Sequence, residues 1–391
     1  MTAVPEYIRR IQDDLSEAVT LLETRFPFAQ ALFTELDGIS MLVTGKDSRV
    51  SSQPPQRGAV LSVYNGDYYA ELATSDLSRD SLMALANRLK DRIPTNGGTG
   101  FDPGEKLTAD FFSKCEEDPR TIPNKDKLIR LQEMERKLAG MSKKVVTASV
   151  RYGERVDRRI YVNRNKRLFQ ELFNTVCIPV AIVSDGKSSK VYHSGNGIQG
   201  GFELVARTEK ELEETVVNAE RLLTAKPVEP GMYDVVGGPA LAGVIAHEAF
   251  GHGVESDMFL KKRAMAAEFV DKAVASDIVD LYDNPALAGE SGSYFFDDEG
   301  HIANETRILE NGILKKVLTD QRSAEKLALP RTANGRRQSY AHKVYTRMSN
   351  TYFGAGEYTV PQMIESIEHG LYMPDGSNGM EDPKSWGIQV E

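Results

Sequence analysis

The sequence predicts an α+β protein of two domains: an N-terminal antiparallel sheet with helices over residues 1–225, and a strand-rich C-terminal domain over residues 226–391 that carries one short helix bearing histidine and glutamate. Three observations lead there. The chain has 391 residues, enough at about 100–200 residues per domain for two sizeable cores. Stretches whose apolar residues recur at steps of three and four are interleaved with stretches that alternate at every second position. Lys226-Pro227-Val228-Glu229-Pro230-Gly231 sets two prolines and a glycine directly after a helical stretch, which is linker composition.

Taken in order, Tyr7, Ile8, Ile11, Leu15, Ala18, Val19 and Leu22 line one face of an opening helix from Glu6 to about Phe26. Residues 28–74 read as short antiparallel strands, with hairpin turns at Asp37-Gly38 and Asn65-Gly66. Ser78 or Asp80 caps a helix through Leu82, Leu85 and Leu89, which Pro94 and Gly97-Gly98 end. Residues 94–123 read mostly as loop. Another helix follows Pro123-Asn124 and stops at Gly140. From Val145 to Val205 the pattern returns to strands, turning at Asp185-Gly186 and around Gly195 and Gly197, and residues 209–223 close the domain as a helix. Beyond the linker, Asn311-Gly312 between two alternating runs marks a hairpin.

Composition narrows the function. With net charge −9, the chain lacks the surplus of Lys and Arg that nucleic-acid or anionic-membrane binding needs, so neither partner is expected. No signal peptide or membrane span is evident. The two cysteines, Cys115 and Cys177, cannot build a disulfide framework and fit a reducing, cytoplasmic setting.

The segment GVIAHEAFGHGVESD holds His247, Glu248 and His252. Two neutral imidazoles bind a borderline divalent metal such as zinc, and an adjacent carboxylate serves as general base toward water. In the familiar zinc-peptidase pattern the histidines are four apart and about 40° apart around a helix; five apart gives about 140°. Joint ligation therefore requires a widened turn, or a helix that ends between them, and Gly251 and Gly253 supply backbone freedom for it. The plainer alternative is a buried helix in which both histidines are satisfied core residues.

HEAFGHGVESD, together with YDNPALAGESGSYFFDDEGHIANETRILENGILKKVLTDQRSA, ANGRRQSY, RMSN and the Pro-Gly-Met-Tyr-Asp-Val-Val lead-in, resembles the TldD/PmbA family, known as modulators of DNA gyrase. The resemblance runs in order through nearly all of residues 226–380. It implies that His247 and His252 are zinc ligands, that Glu248 is the general base, and that short or unfolded peptides are hydrolysed. It further implies a homodimer or a heterodimer with a PmbA-type subunit. The TldD-type member carries the His-Glu-x-x-x-His motif and the PmbA type lacks it. In the family the third ligand is a cysteine in a C-terminal segment; the sequence stops at Glu391 before that segment is expected, so the C-terminal domain is expected to be incomplete. That departure keeps a rival open: a non-catalytic peptide-binding or partner subunit.

Neither Cys115 nor Cys177 sits in a matching context, and Glu255, Asp257 and His301 are alternative donors that no spacing rule selects. Arg336, Arg337 and Arg347, with Tyr340, match the family's Gly-Arg-Arg and Arg-Met-x-Asn positions and offer bidentate anchors for a peptide, although a run of arginines is equally a solvated face. Asp297, Asp298 and Glu299 before Gly300 read as a turn, and Gly195-Asn196-Gly197 as a hairpin loop.

Overall fold

The computed structural model describes residues 3–52, 54–95, 97–376 and 379–390; residue 391, at which the sequence analysis placed the end of the chain, lies outside them, as do Met1 and Thr2. Helix α1 (Glu6–Glu23) buries Ile8, Ile11, Leu15, Ala18, Val19 and Leu22, the stripe its spacing predicts. Strands β1 (Phe28–Thr44), β2 (Ser48–Ser52), β3 (Gln56–Tyr64) and β4 (Tyr69–Thr74) follow, then α2 (Arg79–Arg92), whose cap Ser78 accepts from the Ser81 N–H. After β5 (Leu107–Phe112) and α3 (Asn124–Gly140) come two strands of 19 residues each, β6 (Val145–Asn163) and β7 (Lys166–Ser184). Short β8 (Ser189–His193) and β9 (Asn196–Ile198), then α4 (Glu203–Thr208) and α5 (Leu212–Thr224), complete the N-terminal part.

These nine strands form one sheet in the order β4-β3-β1-β6-β7-β5, with β2 on β1 and β8 and β9 on β7. Side chains alternate between faces along a strand, so parity reports which face a residue occupies. Ala29, Ala31, Phe33, Ile160, Val162 and Phe169 pack under α1 and α2. Met41, Val43, Ala148, Val150, Tyr152, Cys177, Ala181 and Val183 share that parity strand by strand and pack under α3, α4 and α5. All five helices therefore cover one face. The opposite face, through Tyr161 and Leu168, receives Phe296 of the C-terminal domain.

That domain has shorter elements: β10 (Asp234–Gly237), α6 (Pro239–Ala246), α7 (Ser256–Leu260), β11 (Leu281–Asp283), β12 (Thr306–Glu310), β13 (Ile313–Leu314), α8 (Gln321–Leu327), β14 (Gly335–Arg336), β15 (Tyr345–Thr346), β16 (Thr351–Phe353), α9 (Val360–Glu365), β17 (Gly370–Met373), β18 (Gly379–Asp382) and β19 (Gly387–Val390). Its core gathers Ala246, Val254, Ala266, Leu281, Ile308, Leu309, Leu314 and Leu318. The Asn311-Gly312 hairpin forms as expected between β12 and β13, both residues at positive φ.

Three local expectations change. Asp37-Gly38 is not a turn: it lies inside β1, paired with Val156 and Arg155 of β6, and a Cβ on Gly38 would collide with the Glu154 carbonyl, so the glycine serves strand approach. The turn falls instead at Thr44–Asp47, whose backbones exchange hydrogen bonds. Residues 94–123, expected as loop, contain edge strand β5, parallel to β7, because Phe111 finds Phe295 of the other domain (ring centroids 5.1 Å apart) and Phe112 finds Phe169. Strand structure, expected up to Val205, gives way at Glu203 to α4, where Leu204 and Val205 enter the helix-side core. Among the described residues no helix is long and apolar enough to cross a membrane.

Candidate metal centre

Helix α6 opens with Gly238 and Pro239, whose missing N–H is harmless at a first turn, and runs to Ala246. The following turn, His247–Gly251, widens to π geometry, and a 3-10 turn, His252–Val254, follows it. Five residues span close to one full π turn, so the widening that the spacing demanded brings both rings to one side. Their centroids are 4.7 Å apart, edge to face. One ligand atom from each of His247, Glu248 and His252 lies within 4.8 Å of the others; among the described residues no other trio of His, Cys, Asp or Glu satisfies that condition.

The two motif glycines act differently from the sequence expectation. Neither has a positive φ. They provide room: a Cβ on Gly251 would meet the Met348 sulfur, and one on Gly253 would lie 2.9 Å from Glu381 Oε1 and 3.3 Å from Trp386 Nε1. The β18–β19 hairpin thus presses directly on the motif. A Cβ on Gly379 would come within 2.6 Å of Glu248 Cγ. With Ala240, Gly243, Val244 and Gly376, these residues form an open cleft of about 480 Å³ that has His247 and Glu248 in its wall.

Behind the histidines stand two carboxylates. Glu255, 4 % exposed, is pinned by a parallel bridge between its backbone and Leu318; its Oε2 lies 3.6 Å from His252 Nδ1 and accepts from Arg347 Nη1 at 3.1 Å. It draws the His252 pKa upward. Glu381 has both carboxylate oxygens buried with no hydrogen-bond partner of good geometry among the described residues, and burial pushes its carboxyl up to about 7. Two imidazoles, a carboxylate beside them and unsatisfied acceptors behind them form a donor set that suits a divalent cation.

The remaining sequence candidates are dispersed. Asp257 pairs with Lys261 at 2.7 Å. His301 faces a separate cavity with Lys166, Gln321 and Arg331, and burial lowers its pKa to about 4. Cys177 is fully buried in β7, and Cys115 is partly buried between β5 and α3. Of the arginines, Arg347 alone reaches the motif. Arg337 is 8 % exposed and bonded to Glu71 Oε2 of β4 at 2.6 Å, while Arg336 stacks 4.4 Å from the Tyr294 ring centroid. Tyr340 packs on Gly58 of β3, so this segment ties the domains together. Glu381, Gly379, Met348 and Trp386 escaped sequence reading because nothing local marks residues that reach the motif from about 100 to 140 positions downstream.

Fold and donor set define an α+β protein with a candidate metal centre. Residues 230–391 match the profile of the PmbA/TldA metallopeptidase C-terminal domain, which sets this part of the chain in the TldD/PmbA family. A metalloprotease of Methanothermobacter thermautotrophicus is 34 % identical over 243 residues, 61 % of this chain and 53 % of that protein. A zinc metalloprotease TldD homolog of Saccharolobus solfataricus is 33 % identical over 163 residues, 41 % of this chain and 36 % of its own length. The chain thus spans about half the length, or less, of these curated relatives. In fold, the crystal structure of TldE from Thermococcus kodakarensis superposes with a TM-score of 0.71 at 16 % identity, over 96 % of this chain and 86 % of that one.

Proposed function

We propose that the protein is a zinc-dependent peptidase acting on short or unfolded peptides, with His247 and His252 holding the metal and Glu248 acting as general base. The observation that carries this reading is the π turn, which sets the three motif side chains within 4.8 Å of one another although their spacing would separate them on a straight helix. When bound, zinc supplies Lewis acidity that polarises a carbonyl and lowers the pKa of water to about 7. Glu248 then accepts the proton of the attacking water and passes it to the leaving amine, the exchange a carboxylate in a substrate-lined cleft performs. The open cleft admits an extended chain, and Arg347, half exposed and paired with Glu255 near His252, offers a guanidinium to a peptide carboxylate or carbonyl. Arg336 and Arg337, already engaged at the domain contact, are weaker candidates for substrate binding.

The fold shared with TldE supports a PmbA-type partner subunit, and the two free thiols fit a cytoplasmic location. The boundary at residues 225/226 accords with the element-free stretch between α5 and β10. The test is Glu248→Gln: it should retain stoichiometric zinc and lose hydrolysis of an unstructured peptide by about 10²–10⁴-fold. Undiminished turnover would overturn the assigned base. A wild-type protein that binds zinc yet cleaves nothing would favour the peptide-binding subunit.

A further inference from the structure

We propose that Glu255, clamped by Arg347, is the positioning residue that fixes the ring orientation and tautomer of His252, holding the proton on Nδ1 and leaving Nε2 free as the metal donor. This rests on the reading of the motif as a metal centre.

Glu255 follows the 3-10 turn in extended conformation, and its backbone is fastened to the segment leading into α8: the Leu318 N–H donates to Val254 O at 3.0 Å, and the Ser256 N–H donates to Leu318 O at 3.0 Å. The next side chain is locked as well, since Ser256 Oγ donates to Ser323 Oγ at 2.6 Å. The carboxylate therefore cannot drift with its backbone. It is 4 % exposed, and Oε2 has two cationic or protic neighbours, His252 Nδ1 at 3.6 Å and Arg347 Nη1 at 3.1 Å. Arg347 Nη1 is itself anchored by donating to Thr346 O at 2.6 Å, and its guanidinium carbon lies 5.0 Å from the Tyr345 ring centroid. At 3.6 Å the approach to His252 is longer than a settled hydrogen bond, which leaves the ring a small rotation to close it.

Metal-bound histidines donate their second N–H to a carboxylate or carbonyl that selects the tautomer, and losing such a partner weakens metal binding by about 10–100-fold. The neighbouring carboxylate, Glu381, is less suited: its Oε1 sits against Gly253, and among the described residues Glu255 is the carboxylate within ion-pair distance of His252. Arg347 thus has a role inside the protein besides any contact with substrate, because without it the buried Glu255 carboxylate would lose the guanidinium that pairs with it.

The test uses two readouts. In metal-free protein at mildly alkaline pH, proton–nitrogen correlation spectra of the imidazoles report the neutral tautomer; competition with a chromophoric chelator reports zinc affinity. The wild type should show the Nδ1–H form of His252. Glu255→Ala should shift it toward Nε2–H and weaken zinc binding about 10–100-fold. Glu255→Gln, which keeps an acceptor oxygen, should restore most of both. Arg347→Ala, a change at a half-exposed side chain, guards against a folding failure of the Glu255 variants and should move both readouts the same way by less. A wild-type His252 in the Nε2–H form, or unchanged tautomer and affinity in Glu255→Ala and Arg347→Ala, overturns the inference. A wild type that takes up no zinc, yet shows the Nδ1–H tautomer lost in Glu255→Ala, overturns the metal-centre reading and leaves the positioning geometry standing.

Discussion

Two clusters of acidic and basic side chains dominate the C-terminal domain, and they differ in how completely their carboxylate oxygens are partnered. Where the domain meets the sheet, Asp297, Asp298 and Glu299 are at most 3 % exposed. Asp297 accepts from the backbones of Glu299, His301 and Gly335; Asp298 accepts from Arg159 and from the Arg337 N–H; Glu299 accepts from the Gln321 N–H. Arg331 lies 3.7 Å from both Asp297 and Glu299. Around His247 and His252, by contrast, both oxygens of Glu381 and one of Glu255 are buried with no hydrogen-bond partner of good geometry among the described residues. A buried carboxylate whose valences are filled by backbone and guanidinium is joinery, whereas one left open beside two imidazoles fits the proposed metal centre. Acidic residues alone did not separate the two clusters; satisfaction did.

Three changes would break or sharpen this contrast. The largest effect is expected at the joint. Arg159→Met removes the partner of Asp157, 2.9 Å away, and of Asp298, leaving two buried carboxylates uncompensated. Loss of one member of a buried pair costs about 3–5 kcal/mol, to be read as a lowered urea midpoint with zinc affinity unchanged. A midpoint shift below about 1 kcal/mol would show that the seam carries little of the stability.

An intermediate effect is expected at Gly379. A Cβ there approaches Glu248 Cγ to 2.6 Å and Val244 Cγ1 to 2.8 Å, so Gly379→Ala must push the base aside or lift β18. Overpacking of this kind costs about 1–3 kcal/mol, and peptide hydrolysis should fall more than zinc binding does. Equal losses of both would place the strain on the histidines instead.

The smallest effect depends on pH. Burial, with help from Arg331 and Lys166, holds His301 neutral down to about 4 in the folded protein, against about 6.5 in an unfolded chain. Between those values the unfolded chain binds more protons, so this contribution to stability is complete above about 6.5 and is lost as pH falls toward 4. Asp297 and Glu299 act with the opposite sign, since burial raises both, and for that reason the measurement is a difference. His301→Gln should match the wild type at neutral pH and unfold less readily between pH 6.5 and 4. Parallel pH profiles of the two proteins would show that His301 does not titrate against folding.

Much of this was legible from local pattern. The stripe of α1, the Ser78 cap and the Asn65-Gly66 and Asn311-Gly312 turns follow from spacing and turn chemistry that act within a few residues. His247, Glu248 and His252 were legible as well, including the need for a widened turn, because helix geometry fixes the angle between positions five apart. Gly38 misled because its dipeptide has turn chemistry, while the requirement it meets is the close passage of β6, more than 100 residues away in sequence. Strand β5 was hidden for the same reason: its apolar residues find their partners in β7 and in Phe295.

The sequence by itself determined the types of most elements and singled out His247, Glu248 and His252 as candidate donors, since periodicity, capping and side-chain chemistry are properties of short segments. Tertiary structure alone decided which charges are satisfied. Whether Glu299 or Glu381 has a partner depends on which distant backbone N–H or guanidinium arrives beside it, and no local rule of spacing carries that information.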